Sequence, residues 1–441
     1  MIATGGLVGT AIGQIEPVNV ADLVSGDATP SAAQTLGNGS LYASGSGGSS
    51  GAEVRHAGSM VAAEPLTEKK QSLRERLFRG DGWKRAETGE RMRNRSDAAG
   101  LRIEFDSEVV SDDNITYAPS GDEVSDVIFR FRPGLFFDLG EVNSDEGSFA
   151  SLGYRPTISL FADNDDENSF DHDVSVSFGQ RGAKLQSTLE TSYRTLSEAS
   201  LDVGQRTDRE VVNADLLMEY ALGGKTGLRA DLGYERADYD VFSDHDEWGA
   251  DLYATYAISA KTSLGVGYGY GELRDNEYQR ALARADWQTT AKLALAAWGG
   301  ADFRSSGASD ETTGVFGVEL GGDLREGTRV RFGTSRDIGA SALIDSESYT
   351  LTTFSAAIEQ RLGCRFTGVL EAGIEDYDYS GGGELADSRS DESVFVRPAL
   401  RYGLKDELSA EIFYAFRDND SSVDLLDFEN NQFGASVHYE F

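Results

Sequence analysis

The chain has 441 residues, 75 acidic against 40 basic, a net charge of −35, with 51 glycines and only 7 prolines. So acidic a protein lacks the clustered cations that nucleic-acid binding requires, and no stretch approaches the roughly 18 consecutive apolar residues of a transmembrane helix. A single cysteine, Cys364, rules out an intramolecular disulfide; it reads as a small buried or membrane-facing residue.

The charge is unevenly placed. Residues 1–98 hold 11 basic and 11 acidic side chains, so residues 99–441 carry the whole −35. The first segment, MIATGGLVGTAIGQ, resembles the tail of a secretory signal without its positively charged start. Residues 24–60 are rich in Gly, Ser and Ala and read as a flexible linker. The stretch EPLTEKKQSLRERLFRGDGWKRAETGERMRNR then turns basic and helix-favouring, with Leu66, Leu73, Leu77 and Phe78 near one helical face. Residues 1–99 are thus expected to be an N-terminal extension, acting as a tether or as a plug drawn to an acidic pore.

From residue 100 onward the pattern changes to period two. GLRADLGYE sets Leu228, Ala230, Leu232 and Tyr234 against Arg229, Asp231, Gly233 and Glu235. SLGVGYGYG sets Leu264, Val266, Tyr268 and Tyr270 against glycines, and LSAEIFYAF repeats the alternation near the C-terminus. The pattern predicts strands at about 100–110, 125–138, 149–162, 172–181, 184–195, 210–222, 226–237, 248–258 and 262–273. Nine more follow at about 278–288, 292–303, 312–324, 327–335, 348–361, 365–377, 393–403, 408–417 and 430–441.

In a soluble sheet the apolar face would be the inside. Here the opposite face carries Arg130, Arg132, Arg155, Glu190, Arg229, Asp231, Asp251, Arg284, Glu319, Arg329, Arg331, Glu371, Arg397, Arg401 and Glu411. A dry core could not desolvate that many ions, whereas a wet lumen could. The expected fold is all-β: a single transmembrane antiparallel β-barrel of about 18 strands over residues 100–441, with those fifteen residues lining the pore. Eighteen strands spaced about 4.8 Å apart and tilted give a circle near 35 Å across.

The connections support the same reading. Short ones (RGAK, GGK, SAK, TTAK, REG, LGC, LKDE) alternate with long acidic ones such as DNDDENSFD and DYDYSGGGELADSRSDE. All five lysines after residue 99, namely Lys184, Lys225, Lys261, Lys292 and Lys405, fall at short turns. Outer-membrane barrels have short periplasmic turns and longer extracellular loops, which puts both termini in the periplasm. Two aromatic girdles are expected. Phe137, Phe178, Tyr220, Tyr256, Trp287, Tyr402 and Tyr439 would mark the inner one; Tyr193, Trp248, Tyr270, Phe303, Tyr349 and Phe416 would mark the outer one.

The chain ends GASVHYEF, alternating to a terminal aromatic. This ending resembles the C-terminal signal of bacterial outer-membrane proteins, which implies that Tyr439 and Phe441 are read by the barrel assembly machinery. Across residues 100–441, FRFRPGLFFDLG, LGYRPTISLFAD and KTSLGVGYGYGELRD resemble the β-barrel porin families of Gram-negative outer membranes, some of which accompany exopolysaccharide export. The resemblance implies a channel for small polar solutes or an exported polysaccharide. Outer-membrane lipid and lipopolysaccharide would surround it, with a periplasmic export partner in the polysaccharide case. The rival readings are a non-conducting structural or adhesive barrel and, behind that, a rim hydrolase.

Only FDHDV and SDHDE could do chemistry, each placing a histidine (His172, His245) between aspartates (Asp171 and Asp173; Asp244 and Asp246). Four strands separate them by roughly 20 Å, and alternate residues point to opposite faces. The charged-rim reading is therefore preferred, and no enzymatic activity, cofactor or bound metal is expected.

Overall fold

The computed structural model describes residues 99–140, 147–274, 276–290, 292–306, 309–343, 348–380, 389–405 and 407–441. The N-terminal extension, with its linker and basic segment, lies outside the described residues. The first half of the wall comprises β1 (Ala99–Asp112), β2 (Asp126–Gly140), β3 (Gly147–Tyr154), β4 (Thr157–Phe161), β5 (Ser169–Asp171), β6 (Asp173–Arg181), β7 (Leu185–Ser200), β8 (Gln205–Ala221), β9 (Thr226–Tyr239) and β10 (His245–Ser259). The second half comprises β11 (Thr262–Leu273), β12 (Asn276–Trp287), β13 (Leu293–Ser306), β14 (Ser309–Arg325), β15 (Thr328–Ala340), β16 (Ser348–Arg361), β17 (Phe366–Ser380), β18 (Ser390–Lys405), β19 (Leu408–Ser421) and β20 (Phe428–Glu440).

Segments β3 and β4 run in line against β2, and β5 and β6 run in line against them, so the wall has 18 strands. The break between β3 and β4 falls at Pro156, which has no N–H to give a ladder. Every pairing is antiparallel, and β1 pairs with β20 from Glu104↔Glu440 to Asp112↔Gln432, which closes the barrel. Pro398 leaves a second mark: the β18–β19 register passes from Val396↔Phe416 directly to Ala399↔Phe413.

The faces are inverted relative to a soluble sheet. Val266 is 69% and Phe433 63% exposed, while Arg417 and Arg397 are 0% and 1% exposed. Apolar side chains that face outward along every strand need lipid as their solvent. Six of the seven expected inner-girdle residues, Phe137, Phe178, Tyr220, Tyr256, Trp287 and Tyr439, are exposed near the short turns, and Tyr402 is half-buried. At the other end Tyr193 bonds Glu210 (3.1 Å) and Trp248 bonds Glu272 (3.0 Å), each polar partner on the neighbouring strand. Tyr349 departs from the expectation and is buried. Phe354 and Ile358 are the exposed members of β16, and an odd number of positions separates each from Tyr349, which turns inward.

Each predicted strand is present, but most run further outward than the sequence indicated. The stretch LSEASLDVGQRTDRE, expected to be a loop, is largely ladder, with β7 and β8 paired up to Ser200↔Gln205. Beyond the membrane both faces of a hairpin are wet, so hydrogen bonding continues where apolar alternation has stopped. The outer connections are consequently shorter than expected, residues 201–204 among them. Cys364 is also displaced from its expected setting: it is exposed. It sits in the β16–β17 turn, closed by Leu362 N–H donating to the Phe366 carbonyl (2.9 Å), rather than in a strand.

Candidate translocation path

The fifteen residues expected to line the pore all lie on the face opposite the exposed apolar side chains. Ten are buried outright, and Glu190, Asp231, Arg331 and Arg401 are half-buried. Arg155, the remaining member, is buried at the break between β3 and β4 and lies 3.9 Å from Asp173.

Most of the arginines have a carboxylate partner. Arg130 and Arg132 of β2 share Glu108 of β1 at 2.9 and 3.5 Å. Arg229 bridges Glu219 (3.2 Å) and Asp231 (2.8 Å), and Arg284 bonds Asp286 (2.8 Å). Arg329 meets Asp323 (3.2 Å) and Arg331 meets Glu359 (3.0 Å). Arg397 and Arg401 both hold Glu411, at 2.5 and 2.9 Å. Glu190, Asp251, Glu319 and Glu371 share this face. Carboxylates beside them thus offset the charge of these arginines.

Alternation also marks residues that were not singled out. Arg280 on β12 bonds Asp302 on β13 (2.7 Å) and Asp337 on β15 (2.6 Å), while Arg304 also reaches Asp302 (3.1 Å). Three strand spacings, roughly 14 Å, separate β12 from β15, so the wall curves tightly there. Arg417 bonds Glu375 (2.6 Å) and Ser393 (2.8 Å) in the same manner. The glycines of β11 serve this packing: a side chain at Gly267 would meet the Tyr253 ring, and one at Gly271 the Tyr278 ring.

The outer mouth is spanned by chain. The β7–β8 tip, residues 201–204, turns inward and reaches the connections of β15–β16 and β17–β18. The Asp202 carboxylate accepts from Ser341 Oγ (2.9 Å), the Ala342 N–H (2.6 Å) and Tyr379 Oη (3.1 Å). Arg389 donates to the Asp202 and Leu201 carbonyls (2.8 and 3.3 Å) and pairs with Asp391 (2.6 Å). Burial opposes the charge on Arg389, but Tyr379, Asp391 and Asp202 outweigh it and raise its pKa. Leu201 packs in a cluster with Tyr117, Tyr349, Tyr377, Tyr379 and Phe428. Gly204 has φ +67°, a conformation that favours glycine, and a side chain added there would have to displace the Leu426 side chain. A second bridge joins the Ser243 N–H to the Ala342 carbonyl (2.9 Å) and Arg274 to the Ser341 carbonyl (2.6 Å).

The two histidine motifs do not converge. His172 bonds Tyr154 Oη (3.0 Å) and sits edge-on to the outward Phe170. His245 is buried on the inner face. Opposite faces of the wall cannot share one water or ion.

Residues 315–441, from β14 to the C-terminus, match the family model described as "Putative beta-barrel porin 2". That part of the chain is thus similar to the family, and the wall as a whole has the closed, 18-stranded antiparallel β-barrel fold. The chain is similar to OpdO of Pseudomonas aeruginosa at 13% identity, covering 78% of this chain and 97% of that one with a TM-score of 0.42. It is similar to OccAB3 of Acinetobacter baumannii at 9% identity, covering 78% and 99% with a TM-score of 0.45. It is also similar to a bacterial polysaccharide outer membrane secretin at 9% identity, covering 77% and 97% with a TM-score of 0.32. No curated protein matches the chain.

Proposed function

We propose that the barrel conducts polar solutes through a mouth that the β7–β8 tip holds shut. The observation that carries this reading is the Asp202 carboxylate, which ties the tip across the mouth with three hydrogen bonds. A charged, paired inner wall offers hydrated solutes polar contacts without trapping either sign. In a planar bilayer the purified full chain is expected to conduct in discrete steps. The loops' acidity should give a cation preference at tens of millimolar salt that fades near 1 M, where screening falls to about 3 Å. A barrel that never conducts would instead be a structural or adhesive scaffold.

A saccharide is the solute class that the inward rings Tyr349, Tyr377 and Tyr379 would suit once the tip moves away, since all three are buried against it here and would then offer flat faces for stacking. Current blockade by neutral oligosaccharides would separate this case from a channel for simple ions.

Cys364 supplies a test of orientation with no substitution. If the short turns face the periplasm, a bulky impermeant maleimide should leave Cys364 unlabelled on intact cells and label it once the outer membrane is opened. Val241→Cys in a Cys364→Ala background, at an 81% exposed site in the β9–β10 connection, should label on intact cells. The reverse pattern would invert the barrel.

A further inference from the structure

We infer that the short-turn rim is a docking ring for anionic phospholipid headgroups, built from one lysine per hairpin at five turns. The arrangement recurs in the sequence as Tyr220-Ala-Leu222-Gly-Gly-Lys225, Tyr256-Ala-Ile258-Ser-Ala-Lys261 and Tyr402-Gly-Leu404-Lys405. In each, an aromatic of the inner girdle is followed two residues on by an exposed Leu or Ile on the same, lipid-facing side, and then by the lysine. Leu222 and Ile258 are more than half exposed, as are Leu324 and Leu362, which lie beside Arg325 and Arg365. Such a pair suits the edge of a leaflet, with the apolar side chain among acyl chains and the cation at phosphate level.

The lysines are fixed in place. The backbone carbonyls of Lys184, Lys225, Lys261 and Lys292 accept from the N–H groups of Ala221, Ala257, Gln288 and Asp323, each on the next hairpin (2.7, 2.7, 2.8 and 3.0 Å). These four cations are therefore two strands, roughly 10 Å, apart around the rim, and Lys405 lies six strands beyond Lys292 at the β18–β19 turn. They are also uncommitted: among the described residues none of the five lysine ammoniums has a salt bridge, whereas the luminal arginines nearly all do. The leucines beside them favour a lipid over an acidic protein as the occupant, because a protein docked from the aqueous side would leave those leucines uncovered. The inference goes beyond channel function and holds in a symmetric bilayer, so its failure is separate from failure of the gating or orientation readings.

The test reads lipid selectivity by spin-label spectroscopy on the full chain reconstituted in phosphatidylcholine vesicles. The motionally restricted fraction is compared for spin-labelled phosphatidylglycerol and spin-labelled phosphatidylcholine. An anionic-surface attraction of this kind corresponds to about fivefold per lysine site. The wild type is thus expected to prefer phosphatidylglycerol, and the five-fold Lys→Gln variant (Lys184, Lys225, Lys261, Lys292, Lys405) to lose that preference. The matching Lys→Arg variant should keep it, which separates charge from a folding defect, and heat-modifiable migration reports the folded fraction of each. Equal selectivity in wild type and Gln variant would overturn the inference. So would loss of the wild-type preference on adding inorganic phosphate at matched ionic strength, which would indicate a free-anion site.

Discussion

Asp202→Ala is expected to convert a channel that is mostly shut into one that is mostly open. The carboxylate receives three hydrogen bonds from the opposite side of the mouth, and bonds to a charged acceptor are worth about 1.5–3 kcal/mol each before water compensates. Allowing for that compensation, roughly 3–5 kcal/mol of closed-state stability disappears, which shifts an open–closed equilibrium by about two to four powers of ten. Single-channel recording measures the open fraction directly. Asp202→Asn keeps one acceptor oxygen and should fall between. Gly204→Val should act the same way by a different route, since the position has a positive φ and faces Leu426. Open fractions unchanged in all three would mean that the tip is a fixed part of the wall and gates nothing.

Arg280→Met is expected to destabilise the barrel by about 3–5 kcal/mol, the usual cost of leaving buried counter-charges without their partner. Arg280 is 1% exposed and is the cation that joins β12, β13 and β15; Asp302 retains Arg304, but Asp337 loses its salt bridge. Adding Asp337→Asn should recover a large part of the loss, because the stranded charge is removed with it. Urea unfolding of the reconstituted protein, followed by heat-modifiable migration, measures both variants. A loss below about 1 kcal/mol in the single variant would show that water screens this pair and that its packing is loose.

The wall was largely legible from the sequence, and for a simple reason. Lipid on one side and charge on the other impose a strict two-residue rhythm, so Leu228 against Arg229 fixes both strand and face at once. That rhythm stops where the hairpins leave the membrane, so residues such as Ser197 and Thr207 show no apolar alternation although they continue the ladder. Asp202 and Arg389 carried no signal, being one acid and one base among many in acidic connections. Their roles exist only because the β7–β8 tip crosses to strands 140 and more positions away. Tyr349 shows the opposite case: its parity within β16 points inward, whereas an aromatic near a strand end also fits a girdle. Arg280 was visible as an inward cation, yet its link to Asp337 depends on curvature, which no local pattern encodes.

The seam between β1 and β20 bears on how such a barrel is made. Its side-chain fastenings join the two ends of the chain: His438 to Asp106 across 332 positions (2.6 Å), Asn430 and Gln432 to Asp112 (2.6 and 2.8 Å), with Asn114 beside them. None of these bonds can form until the last strand has been delivered. Up to that moment the nascent sheet has two raw margins, each a row of unmet N–H and carbonyl groups able to pair with any extended chain nearby. The polar side chains on the inner side of the seam let the first and last strands select each other by register, because a slip of one residue would turn His438 and Gln432 toward lipid. Correct closure is thereby favoured over pairing with a stranger.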